Sequence, residues 1–282
     1  MLILSLFPGI DLLGRAFEEA GYCLVRGPDR LWGGDVRGFH PPAGVFWGVI
    51  GGPPCQEFSA LRRSEVTGEG VELLGEFVRV VREAAPEWWL LENVARVPDV
   101  ACEGYHVQRL DVDLKWWRDA TRLRHVQFGS RSGRLLHIER SRRHAVTDQA
   151  GHECDAAGVT SLRLPGAALA CDSRPFAEVC RLQGLDEGFD LPGFTVAAKK
   201  RAVGNGVPLP MGRALARGVT EAYAGEAPEL QLRLDGPAEV AGRCRCGCGR
   251  RVTGRRRYYD ESCRKRAQRR RDRARSRARQ WP

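Results

Sequence analysis

The chain has 282 residues, 43% of them hydrophobic and 28% charged, enough for one large core with an appendage. No uninterrupted apolar run reaches membrane-spanning length. The opening MLILSLFPGIDLLG has no basic flank before its short apolar run, which argues against a secretory signal and for a cytoplasmic protein. The net charge of +10 is uneven: residues 243–282 hold 16 Arg and 1 Lys against 2 Asp and 1 Glu, so the remainder is acidic. A basic tail of this kind suits nucleic acid, or is a solvated extension. Of ten cysteines, six are scattered singly and four crowd the last 40 residues. That distribution fits a reduced protein with a metal site better than a disulfide framework.

In chain order, LILSLF reads as a buried strand, PGIDLLGRAFEEAGY as a turn into an amphipathic helix ending at Gly21, and YCLVRG as a second strand. VFWGVI is a third strand, closed by a glycine pair and followed by PPCQEFS. VELLGEFVRVVREA predicts a helix, Pro86 breaks it, and WWLLENV predicts a strand. GYHVQRLDV and RHVQFGSR continue the alternation more faintly, which predicts a parallel, doubly wound α/β sheet. Residues 130–172 are irregular, RPFAEVCRLQGL restores a helix, and KKRAVGNGVPLPMGRALARGVTEAY reads as a loop and a last helix. The predicted division is a core over 1–129, a small inserted region over 130–172, a closing part over 173–225, a linker over 226–242 and a Cys-rich tail over 243–282.

Several residues carry chemistry. Cys55 falls on a loop at the carboxyl end of a strand, where open α/β sheets put their sites, and is either a packing thiol or a nucleophile. Glu92 ends another strand behind Trp88, Trp89, Leu90 and Leu91; an apolar wall raises a carboxyl pKa, although a strand-end Glu also caps turns. Arg122 and Arg124 alternate at strand spacing and share a face, able to orient the Glu and depress the thiol pKa. Gly9 lets the backbone approach a ligand at a helix N-terminus, but the loop lacks the GxGxxG of dinucleotide binders. Asp29 stands where ribose hydroxyls are usually held, and Asp35 comes just after a glycine pair; each alone is compatible with an ordinary turn residue.

Taken in order, SLFPGIDLLGRAFEEAGY, GGPPCQEFS, ENV, RLR, RPFAEVCRLQGL and VGNGVP resemble the motifs of the DNA cytosine-5 methyltransferase family, over about residues 2–223. The resemblance implies a Rossmann-like sheet dependent on S-adenosylmethionine, with a small inserted target-recognition region and a short C-terminal Cys-rich module. It implies methyl transfer to C5 of a flipped-out cytosine through a Cys55 adduct at C6, with Glu92 at the N3 side and Arg124 and Arg122 in support. It also implies a cofactor site of Phe7, Gly9, Ile10, Asp11, Leu12, Asp29, Asp35, Val36, Pro54, Asn205 and Val207. The implied partner is double-stranded DNA, met by a monomer without a membrane, with a restriction endonuclease as counterpart. RNA cytosine-5 methylation, or DNA-binding regulation without turnover, are the rival readings. The chain departs from the family at Asp11, Leu12 and Leu13, where glycine is usual, at Ala120 in place of Gln, and in its short recognition region.

In the tail, Cys244, Cys246, Cys248 and Cys263 are candidate ligands of a structural zinc, although the C-x-C-x-C spacing is tight and Tyr259 stands where a related bacterial module has cysteine. His144, His152, Cys154 and Cys171 fit no standard metal spacing and read as unrelated loop residues.

Overall fold

The computed structural model describes residues 1–54, 58, 67–118, 120–140, 146–147, 153–154, 172–225, 242–243, 251–252, 261–265 and 268. The chain divides into two compact units, residues 1–227 and 228–282. The first holds strands β1 (Leu2–Leu6), β2 (Cys23–Arg26), β3 (Gly48–Gly51), β4 (Trp88–Asn93), β5 (His106–Asp113) and β6 (Leu123–Ser130). Its helices are α1 (Leu12–Glu19), α2 (Glu69–Ala84), α3 (Phe176–Leu182), α4 (Val196–Asn205) and α5 (Leu209–Ala222). The six strands make one sheet in the order β2-β1-β3-β4-β6-β5.

The first four strands run parallel, but β6 pairs antiparallel with both β4 and β5. The sheet is therefore mixed rather than wholly parallel. Residues 114–122 are all that join β5 to β6, and a parallel return needs a crossover of a dozen or more residues. KKRAVGN, read from sequence as loop, is the end of α4. Thr195 caps that helix by accepting the Ala198 N–H at 3.3 Å. Only Val203 and Gly204 of α4 are buried, so the helix carries no apolar stripe to betray it.

Period-two alternation gives the sheet two apolar faces. Ile3, Ile50, Trp88, Leu90, Val126 and Phe128 pack with Phe17 of α1 and with Met211, Leu215 and Val219 of α5. On the other face Leu4, Leu6, Val49, Trp89 and Leu91 meet Leu73, Phe77, Val80 and Val81 of α2. Two strand glycines make room for the tryptophans of β4. A Cβ at Gly48 would lie 2.3 Å from Trp88 Cζ2, and one at Gly129 would lie 2.2 Å from Trp89 Cε2.

The register aligns Leu6, Gly51 and Leu91 across β1, β3 and β4. Phe7 and Gly52, just past the ends of β1 and β3, consequently stand beside Glu92 near the end of β4, which places the chemistry of three separate sequence segments at one edge. No helix links β2 to β3. That connection holds two short 3-10 turns, Arg30–Trp32 and Val36–Gly38, capped by Asp29 and Asp35. Outside the six-stranded sheet, Val146–Thr147 pairs with Glu153–Cys154, and Gly242–Arg243 pairs with Arg251–Val252.

Candidate active site

The loop after β1 has an unusual backbone. Phe7 (φ 52°), Gly9 (φ 55°) and Asp11 (φ 54°) are all left-handed. For the two non-glycine residues this conformation costs on the order of 1–3 kcal/mol each, so surrounding contacts must hold it. They do: the Gly9 N–H donates to Asp29 Oδ2 at 2.9 Å, and the Trp32 indole N–H donates to the Gly9 carbonyl at 2.8 Å. Asp11 caps α1 by accepting the Gly14 N–H at 3.1 Å, and takes a second bond from Ser5 Oγ at 2.8 Å.

This loop forms one wall of a cavity of about 510 Å³, within the size range of small-molecule sites. Phe7, Gly9, Ile10, Asp11 and Leu12 line it from β1 and α1, Asp29, Asp35 and Val36 from the β2–β3 connection, Pro54 from beyond β3, and Asn205 and Val207 from the α4–α5 turn. Every residue that the sequence pointed to as a cofactor contact thus meets on one surface. Glu92 and Arg124 face the same space. Asp29 and Asp35 serve as turn caps and as cavity wall at once. The backbone N–H of Arg37, and then its guanidinium, hold the Asp35 carboxyl below its ordinary value, so Asp35 presents a charge.

Glu92 is 7% exposed, and its carboxylate is met by Arg124 Nε at 2.9 Å. Burial pushes its pKa up, while Arg124 and, from further off, Arg122 pull it down. A buried carboxyl keeps its proton to higher pH than a free one, and the guanidinium orients it toward a ligand that could take that proton. Gly52 lies directly beside the carboxylate: a Cβ there would be 3.4 Å from Glu92 Oε2, an ordinary contact.

Arg122 is placed differently from Arg124. It is 7% exposed and off the cavity wall, and its guanidinium donates to the carbonyls of Gly204 at 2.9 Å and Gly206 at 3.3 Å. Gln183 joins it there, donating to the carbonyls of Val203 at 2.6 Å and Gly206 at 2.9 Å. The two side chains fix the turn that carries Asn205 and Val207.

Sequence reasoning missed Gln183 and also Asn93. The Asn93 amide donates to the Pro53 carbonyl at 3.0 Å and so clamps the loop that leads into Cys55. Its place between Glu92 and the chain reversal at Val94 was the available signal. Cys55 itself lies outside the described residues, as do Cys244, Cys246 and Cys248. Cys263 is described and buried. Among the described residues no group of three or more His, Cys, Asp or Glu is arranged to hold a metal. Among them, too, no helix is long and apolar enough to cross a membrane.

Residues 42–101, which run from before β3 to beyond β4, match the family model of C-5 cytosine-specific DNA methylases. Over that segment the chain resembles the family. Among curated proteins, the chain is 53% identical over 47 residues to the type II methyltransferase M.AquIA of Picosynechococcus, 16% of this chain and 19% of the relative. To M.DdeI of Desulfomicrobium norvegicum it is 28% identical over 115 residues, 33% of this chain and 28% of the relative. These matches therefore span less than a third of either relative. A solved structure described as a DNA modification methyltransferase encoded within an E. coli prophage superposes with a TM-score of 0.56 at 16% identity, covering 79% of this chain and 99% of that one. At that identity the likeness is one of fold alone. The N-terminus of α1, the left-handed loop and Asp29 meet on the cavity wall, an arrangement able to receive an anionic or hydroxyl-bearing ligand.

Proposed function

We propose that the chain is an S-adenosylmethionine-dependent methyltransferase acting on C5 of cytosine in double-stranded DNA. The observation that carries this reading is the buried Glu92–Arg124 pair facing the same cavity as Pro54, the residue before Cys55. C5 of cytosine is too poor a nucleophile to take a methyl group unaided. The Cys55 thiolate adds to C6, forming the S–C6 bond, and the ring's electron density moves to C5. Glu92 supplies a proton or hydrogen bond at N3 as that charge develops, while Arg124 keeps its carboxyl in place. S-adenosylmethionine, when bound, would supply an electrophilic methyl group to C5, the sulfonium S–CH3 bond breaking to leave a neutral thioether. A base then removes the C5 proton, the S–C6 bond breaks, and the thiolate is regenerated. The target base must leave the duplex first, since its C6 face is stacked inside.

The relatives are bacterial type II methyltransferases by name, which supports a cytoplasmic setting and a restriction endonuclease as counterpart. A structural zinc in the tail is the finer cofactor reading. Three of its four cysteines fall in sequence between the paired segments Gly242–Arg243 and Arg251–Val252. Tritium transfer from labelled S-adenosylmethionine to unmethylated DNA, for wild type and Cys55→Ala, tests the main reading. Transfer that vanishes in the variant is expected. Transfer that survives refutes the covalent route, and transfer to RNA alone moves the substrate.

A further inference from the structure

We propose that Arg26 is a positioning residue of the S-adenosylmethionine site: through an ion pair with the buried carboxylate of Asp11 it holds the cofactor loop in its left-handed course. It thereby sets cofactor affinity without touching the cofactor. This role deepens the reading of the site given above and rests on it.

Asp11 is an unusual residue for its place. It is 5% exposed and adopts φ 54°, a conformation that glycine takes without strain and other residues rarely do. Its carboxylate fills space that a side chain at position 14 would need, since a Cβ on Gly14 would lie 2.2 Å from Asp11 Oδ2. Three elements converge on that carboxylate. Ser5 reaches it from β1 at 2.8 Å, the Gly14 N–H from α1 at 3.1 Å, and Arg26 Nε from the end of β2 at 2.7 Å. The first two are neutral donors, so Arg26 is the countercharge. Its other arm pairs with Glu18 of α1 at 2.8 Å, which orients the guanidinium over the loop.

Arg26 is itself half exposed, with 48% of its side chain accessible, so the hydrophobic core does not depend on it. What depends on it is Asp11. Burial pushes the Asp11 carboxyl up, and Ser5, Arg26 and the Gly14 amide draw it back down. Without Arg26, an ionised Asp11 is a buried charge held only by Ser5 and an amide. It must take up a proton or swing out of its socket. Swinging out changes the backbone of a loop whose Phe7, Gly9 and Ile10 line the cavity. A neutral Asp11 can stay, because a carboxylic acid needs no countercharge. The consequence is a dependence of cofactor affinity on pH that wild type lacks.

The test uses full-length Arg26→Met and Arg26→Lys. Cofactor dissociation constants are measured by calorimetry from pH 6 to 8.5, and kcat is measured on unmethylated DNA at saturating cofactor. Arg26→Met should bind about tenfold more weakly at pH 8.5, about 1.4 kcal/mol, with the deficit shrinking toward pH 6 and kcat within about twofold of wild type. Arg26→Lys should recover most of the affinity and flatten the pH trend. Wild-type affinity in Arg26→Met at every pH overturns the role. A loss that is constant with pH and not repaired by Lys overturns it too, because it marks a merely structural contact. A wild-type protein that binds no S-adenosylmethionine overturns the proposed activity along with the role. Binding by wild type with no effect of Arg26→Met removes the role alone.

Discussion

Replacing Arg124 by Met should destabilise the protein at alkaline pH far more than at acid pH. The side chains of Glu92 and Arg124 are 9% and 17% exposed, so the pair belongs with buried ion pairs rather than surface ones. Breaking a buried pair by removing one partner costs about 3–5 kcal/mol because the other charge is left uncompensated. Arg122 still lies close enough to lower the Glu92 pKa, which argues for the lower end, about 3 kcal/mol at pH 8. Burial sets the sign of the pH dependence. Glu92 holds its proton to higher pH when folded than when unfolded, so its contribution declines as pH rises from the unfolded value, about 4.3, through the folded one. Loss of Arg124 raises the folded pKa further and steepens that decline. As pH falls from the variant's folded pKa toward the wild type's, the variant regains about 1.4 kcal/mol per pH unit. Urea unfolding of Arg124→Met at pH 8 and pH 5.5, alongside Glu92→Gln and the double variant, reads this directly. Glu92→Gln should rescue Arg124→Met, since it removes the stranded charge. Equal losses at both pH values, or no rescue, would refute the account of Glu92 as a buried carboxyl held by Arg124.

Four further outcomes are expected. Gly48→Ala and Gly129→Ala, which press a methyl onto Trp88 and Trp89, should each cost about 1–3 kcal/mol in urea unfolding. Asn93→Ala should lower kcat while leaving the cofactor dissociation constant unchanged, because it releases Pro53 rather than the cofactor loop; a rise in that constant would contradict the assignment. Gln183→Leu should do the reverse, raising KM for S-adenosylmethionine through the Asn205 turn, with loss of two carbonyl contacts costing about 1–3 kcal/mol. Mass spectrometry of metal content should find about one zinc per chain, reduced in Cys246→Ser; a metal-free wild type would remove the zinc reading of the tail.

Much of the site is legible in the sequence, because each part sits where an apolar run stops. LILSLF, VFWGVI and WWLLENV are short buried strands, and the chemistry stands at the carboxyl end of each: PGID, GGPPC and Glu92 with Asn93. The strand ends gather at one edge as the parallel order requires. The hidden features depend on partners far along the chain. Nothing local says that β6 reverses, since its direction is dictated by the shortness of the link to β5. The polar face of α4 conceals its helicity. Asp11 reads as a departure from a glycine pattern. Only the fold shows that its carboxylate turns away into a socket made by Ser5, Gly14 and Arg26.

Arg122 and Arg124 show why alternation alone does not fix a role. The two arginines share a face, and their spacing offers no means to tell them apart. The difference comes from what each meets. Arg124 lies beside Glu92 of the neighbouring strand, whereas Arg122, one step nearer the β5 turn, meets the carbonyl ends of α4. Strand β6, with Arg124, and Arg122 just before it therefore brace both halves of the cavity. Glu92 comes from the first hundred residues, and the Asn205 turn comes from the last third of the first unit. On the proposed reading, a change at Arg122 should consequently register first as weaker cofactor binding through Gly204 and Gly206, and a change at Arg124 as a loss at Glu92. A cavity assembled from segments so distant in sequence needs such a brace, because nothing in the local chain holds the Asn205 turn against β6.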